Sequence, residues 1–211
     1  MPKLKEHLLP RIKESLRVDA HDGTSSGSFE GGETTPHIED LDRIFFNSDR
    51  MYQHHLLRIN FTTYDVRRSQ DVINPGTLRR DIMLLANNQD AEIDHPFWFA
   101  RVLGIYHVNV VYTGSGMLDY TPRRFDFLWV RWFQQHGNMS ARWQECRLDI
   151  VSFPPMAHQD SFGFVDPKDV LRCCHIIPSF RRGRVHSDMV SLSRCANDAR
   201  DWTRYVVNRY D

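Results

Sequence analysis

His95 to Tyr112 reads HPFWFARVLGIYHVNVVY and Arg124 to Phe133 reads RFDFLWVRWF. Both runs are dense in Val, Ile, Phe, Tyr and Trp. Turn residues Thr113-Gly114-Ser115-Gly116 follow the first, and Trp143 to Phe153 (WQECRLDIVSF) follows the second. Runs of this composition, bounded by Gly, Pro and Ser, read as strands packed on a core. Alternation along the second run puts Phe125, Phe127, Trp129 and Phe133 on one face, and Leu128, Val130 and Trp132 on the other. A strand apolar on both faces is covered on both sides. The two runs therefore predict a mainly β fold, a compact barrel or curled sheet, with Val102 and Trp129 buried in it.

Upstream, residues 4 to 16 place Leu4, Leu8, Leu9, Ile12 and Leu16 at helical spacing, interrupted by Pro10. We expect an amphipathic arm over residues 1–17. A Gly/Ser/Thr-rich linker over 18–36 follows, so the arm is expected to be separable from the rest. Leu41, Ile44 and Phe45 form a short helical face. Met51 to Tyr64 alternates as a strand with Leu57, Ile59 and Phe61 on one face, and Asn74-Pro75-Gly76 is a turn. Asp81 to Ala86 is a short strand, and Asn87 to Asp94 is a polar loop. Asp166 followed by Pro167 marks one helical turn. Cys173 to Phe180 is expected to be the last strand of a β domain spanning 37–180. Residues 181–211 are then an extension whose Trp202, Tyr205 and Val206 cap it.

The 211 residues carry no net charge at pH 7, with four lysines against 23 arginines. Arginine's planar fork suits phosphate and carboxylate better than lysine's point charge. Through His95 there are 12 basic and 16 acidic residues, and beyond it 15 and 11. The later half is the basic one, and Arg181, Arg182 and Arg184 cluster within it. No run approaches the roughly 20 apolar residues that span a bilayer, and the opening residues show no signal-peptide block. An intracellular, nuclear location and no membrane partner are expected. Cys146, Cys173, Cys174 and Cys195 read as reduced thiols, because an adjacent pair does not bridge easily.

No catalytic signature accompanies the strands. G-x-S-x-G and the phosphate-binding G-x-x-x-x-G-K-[ST] are both missing. Asp126 lies within a strand, as the first carboxylate of a two-metal nuclease would, but pairing with Arg101, Arg124 or Arg131 explains it. Cys173, His175, His186 and Cys195 are the candidate zinc ligands, although they lack the usual C-x₂₋₄-C or H-x₃₋₅-H pair. The expectation is therefore no enzyme and no cofactor. Binding candidates are Trp98, Tyr106 and Trp132, which suit cationic side chains, and Arg181, Arg182 and Arg184, which suit phosphate.

From about Asp40 to Tyr210, several runs occur in a characteristic order. They are LLRINFTTYD (56–65), HPFWFARVLGI (95–105), FLWVRWF (127–133), FGFVDP (162–167) and CHIIP (174–178). With HLLPRI at 7–12, this order resembles a C-terminal segment of proteins encoded by CACTA-like, Plavaka-type DNA transposons of mushroom-forming fungi. The succession of strands is also loosely similar to bromo-adjacent homology domains, which are elaborated SH3-like barrels. These resemblances imply a non-catalytic module that binds protein or chromatin in support of DNA transposition, within a longer transposon protein. The alternatives are direct nucleic-acid binding through the arginines, or a metal-dependent nuclease or zinc-stabilised module.

Overall fold

The computed structural model describes residues 2–23, 38–86, 95–116, 119–136 and 148–208. Expectations on residues 24–36, on the 87–94 loop, and on Cys146 and the start of the Trp143 run lie outside the described residues. The chain divides into two compact units, each built from two separate segments. Unit 1 comprises Met1–Gln53 with Tyr106–Phe127, and unit 2 comprises His54–Ile105 with Leu128–Asp211.

Unit 1 begins with helix α1 (Pro2–Gly23), longer than its sequence pattern suggested. Residues 18–22 contain neither Gly nor Pro, so the helix continues until Gly23, and the expected linker does not start at Val18. Arg123 donates from Nε to Asp19 at 3.1 Å, which anchors this last stretch. Pro10 sits on the exposed side, and the carbonyl that loses its partner there belongs to Glu6, also exposed. Leu4, Leu8, Leu9, Ile12 and Leu16 are all buried. Each such side chain contributes roughly 1.5–3 kcal/mol on burial, so α1 is core rather than a separable arm. Helix α2 (Ile38–Asp42) is tied to it by Lys13 Nζ to Asp40 at 2.7 Å and by Lys5 Nζ donating to the Leu41 carbonyl. Asp40's carboxyl is held below its usual range, chiefly by the hydrogen bond from Lys13.

Strand β1 (Ile44–His54) pairs with β5 (Phe97–Tyr112), one of the two opening runs. The other run is β6 (Arg123–Trp132). Both strands contribute to both units. Within unit 1, Arg11 donates to the Asp126 carbonyl at 2.8 Å and lies over the Phe125 ring.

In unit 2, β2 (Leu57–Thr62) and β3 (Arg68–Ile73) form an antiparallel hairpin. Leu57, Ile59 and Phe61 are its half-buried positions, as the alternation predicted. Strand β4 (Asp81–Leu85) pairs antiparallel with β5 and with β10 (Val170–Cys173), while β6 pairs with β9 (Phe162–Val165). Asp166 caps the 3-10 turn Pro167–Asp169 by accepting from the Lys168 amide. A second antiparallel sheet runs β11 (His175–Pro178), β12 (Tyr205–Asn208), β8 (Asp149–Ser152), β7 (Gln134–His136).

The fold is mainly β, and the strands form three separate antiparallel sheets among the described residues; no barrel closes. The expected SH3-like barrel is thus corrected to open sheets. The break falls at Cys174, whose amide donates to the Asp81 carbonyl while the strands on either side join different sheets. Within the expected extension, Tyr205 is in the core and Trp202 packs against it, while β12 lies between β11 and β8 as an inner strand of the sheet.

Alternation along β5 feeds two cores in unit 2. Ala100 and Val102 join Ile73, Ile82, Leu128, Val130 and Val165 in one. Phe99 joins Phe133, Val151, Ile176, Tyr205 and Val207 in the other. Val102 is fully buried as expected, but Trp129 is only half-buried, tilted against Phe162. Its truncation should therefore cost less than the ~3–5 kcal/mol typical of an emptied core aromatic site.

The second core also holds charge. Arg101 donates to Asp81 from Nε at 2.7 Å and from Nη2 at 3.0 Å, and Arg131 pairs with Asp201. The Arg101 guanidinium faces the rings of Phe133, Phe153 and Tyr205, with 5.0 Å to Phe153, and Arg131 lies 3.9 Å from the same ring. Burial works against Arg101's charge, yet Asp81 raises its pKa overall. Paired and ringed by π-faces, these arginines are structural.

A candidate anion pocket on the C-terminal sheet

The candidate site is built on the β11–β12–β8 face. Tyr205 and Val207 point into the core, so the alternate residues Arg204 and Val206 of that segment take the opposite face. Val206 stands in register with Ile150 on β8 and with Ile177 on β11. Beyond β11, Ser179 leads into a 3-10 turn, Phe180–Arg182, and its amide donates to the Arg204 carbonyl at 2.9 Å. Gly183 ends the turn at φ +75°, a conformation that favours glycine. Thr203 closes the corner by donating its hydroxyl to the Gly183 carbonyl at 3.0 Å.

The result is a pocket of about 430 Å³ lined by Ile150, Ser179, Arg181, Arg182, Arg204 and Val206. Its floor is apolar, and among the described residues no acidic side chain lines it. None of the three guanidiniums has an ion pair or side-chain hydrogen bond among the described residues. Several other arginines are engaged: Arg123 with Asp19 and Asp119, Arg124 with Asp126, and Arg172 with Asp71. Chemically, the arrangement is a set of forked donors over an apolar base, suited to a phosphate or carboxylate.

Arg181 and Arg182, singled out in the sequence, thus stand together. Arg184 does not join them; its guanidinium lies 5.0 Å from the Trp202 ring. Arg204, which the sequence reading missed, takes its place. The signal was its position two residues before Val206, on the approach to a strand whose other face is apolar.

The aromatic candidates are engaged in packing. Trp98 and Trp132 meet edge to face with centroids 5.6 Å apart, and Trp132 lies against the first core of unit 2. A Cβ on Gly163 would come within 2.5 Å of the Trp132 indole nitrogen, so the ring covers that glycine closely. Tyr106 stacks on Phe127 at 5.8 Å.

The candidate zinc ligands do not assemble into a metal-holding group among the described residues. Cys173 ends a strand of one sheet and His175 begins a strand of another, so they do not share a strand face. Burial pushes the Cys173 thiol up to about 11 and raises that of Cys174 as well, which disfavours the thiolate a metal needs. His186 Nε2 lies 3.3 Å from Asp198, and Cys195 is exposed. Asp126, the nuclease candidate, receives hydrogen bonds from Arg124, the closest at 2.7 Å.

No family model matches the chain, and neither a curated protein nor a solved structure matches it. No helix among the described residues is long and apolar enough to cross a membrane.

Proposed function

We propose that this chain is a non-catalytic interaction module that engages an anionic surface of a chromatin or protein partner, in support of DNA transposition. The transposon context rests on the ordered sequence runs alone. The observation that carries the binding role is the convergence of Arg181, Arg182 and Arg204, unpaired among the described residues, on one pocket. Folding places such groups beside one another only at an electrostatic cost, which an anionic partner relieves. The engaged state of Trp98, Trp132 and Tyr106 favours this surface over an aromatic one.

The test is binding of fluorescently labelled nucleosomes, read by anisotropy at several salt concentrations. The triple variant Arg181→Ala, Arg182→Ala, Arg204→Ala is expected to bind at least tenfold more weakly and with flatter salt dependence, as lost phosphate or carboxylate contacts require. Unchanged affinity in the triple variant would overturn the proposal. Loss of binding in Trp98→Ala with the triple variant unaffected would move the interface to the aromatics.

A further inference from the structure

Besides the arginines, the corner that forms the pocket holds an exposed aromatic ring. Phe180 lies between Ser179 and Arg181, both pocket-lining residues, and is 68% exposed. Its ring is held edge-on against Trp202 at 5.0 Å, and Trp202 in turn carries Arg184 over its own ring. A large exposed phenyl ordinarily swings freely; this one has a fixed aromatic neighbour. The turn, with Arg204 just before β12, therefore presents a braced ring beside three guanidiniums that are unpaired among the described residues.

Resting on the anion-binding reading above, we infer that the pocket takes an unpaired nucleic-acid strand. Arg181, Arg182 and Arg204 would hold its backbone phosphates, and Phe180 would stack with a base. Proteins that bind single strands combine a basic groove with aromatic platforms, because every base offers a π-face whatever its sequence. A duplex hides those faces, and an acidic peptide has none. The apolar floor of Ile150 and Val206 suits a flat, partly desolvated base edge or sugar rather than a second shell of charge. The inference thus assigns the phenyl a task that carboxylate or duplex recognition leaves undone.

The experiment measures affinity of the full chain for an oligothymidylate strand, for the same strand annealed to its complement, and for inorganic polyphosphate. Wild type is expected to bind the single strand about tenfold more tightly than the duplex. Phe180→Leu keeps an apolar contact for Trp202 but removes the ring. It should weaken single-strand binding about tenfold, within the range of one lost base–aromatic stack, and leave polyphosphate binding unchanged. The triple arginine variant should lose both and flatten the single-strand salt slope by about two, at roughly 0.7 per phosphate contact. Equal affinity for strand and duplex, or a Phe180→Leu variant that binds the strand as wild type does, overturns this inference while leaving anion binding in place. A triple variant that binds everything as wild type does overturns both. Circular dichroism spectra that match wild type establish that each variant is folded.

Discussion

Asp198 shows how one carboxylate can order a loop. It is 1% exposed, accepts from the Ser191 hydroxyl at 2.6 Å, and also accepts from the Leu192 and Ser193 amides. Burial pushes its pKa up, but the hydrogen bonds outweigh that and hold it at about 2, below the ordinary 3.8. A carboxyl whose pKa is depressed by folding contributes stability that is complete above its unfolded value. That contribution is lost as pH falls through the folded value. Melting temperature should therefore drop between about pH 4 and pH 2, beyond what the other carboxyls contribute. Asp198→Asn should be less stable at pH 7 by about 1–3 kcal/mol, from weakened charge-assisted bonds, and should show a shallower acid limb. Parallel acid limbs in thermal melts of the two proteins would contradict this. Arginine needs the same residue-by-residue treatment. Arg101 and Arg131 are sealed in a core, Arg124 is a surface pair, and Arg181, Arg182 and Arg204 are unengaged among the described residues. Composition registers only that they are arginines.

Among the elements, β5 and β6 were legible from their runs because burial on both faces leaves no polar alternation to confuse the pattern. The hairpin β2–β3 showed half its pattern, through Leu57, Ile59 and Phe61. Helix α1 was legible in its stripe but not in its length, since Pro10 suggested a break that an exposed position tolerates. Strand β12 was the least legible element. It is only four residues long, and its neighbours in the sheet lie 27 and 54 positions or more away, so no local signal reveals that it is central. The candidate pocket inherits that difficulty, because Arg204 belongs to the approach to β12. The pairing of β6 with β9 gives an element-scale prediction. Gly163→Ala places a methyl against the Trp132 indole and should destabilise the protein by about 1–3 kcal/mol, as overpacking does. The additional change Trp132→Leu should recover part of that loss, measured as the denaturant midpoint. A neutral Gly163→Ala would mean that the indole is free to move.

At the scale of the whole molecule, both units are assembled from discontinuous segments, and the amino-terminal helix is integral to one of them. Deleting residues 2–23 removes five buried aliphatic side chains from unit 1, at roughly 1.5–3 kcal/mol each. That sum is comparable to the whole stability margin of a typical domain, so the truncated chain is expected to lose cooperative unfolding of unit 1. A scanning-calorimetry trace of the truncated chain that matches the intact one would refute this. The place of β12 has another consequence, one of timing. A ribosome releases this chain in order, and β7, β8 and β11 all emerge before Tyr205–Asn208 does. Until then, β8 and β11 have no strand between them, and their open edges are available to any other nascent chain nearby. Biosynthesis thus leaves this sheet, and the arginine pocket on it, open until β12 has emerged, and chaperone protection matters most in the interval between the emergence of β11 and that of β12.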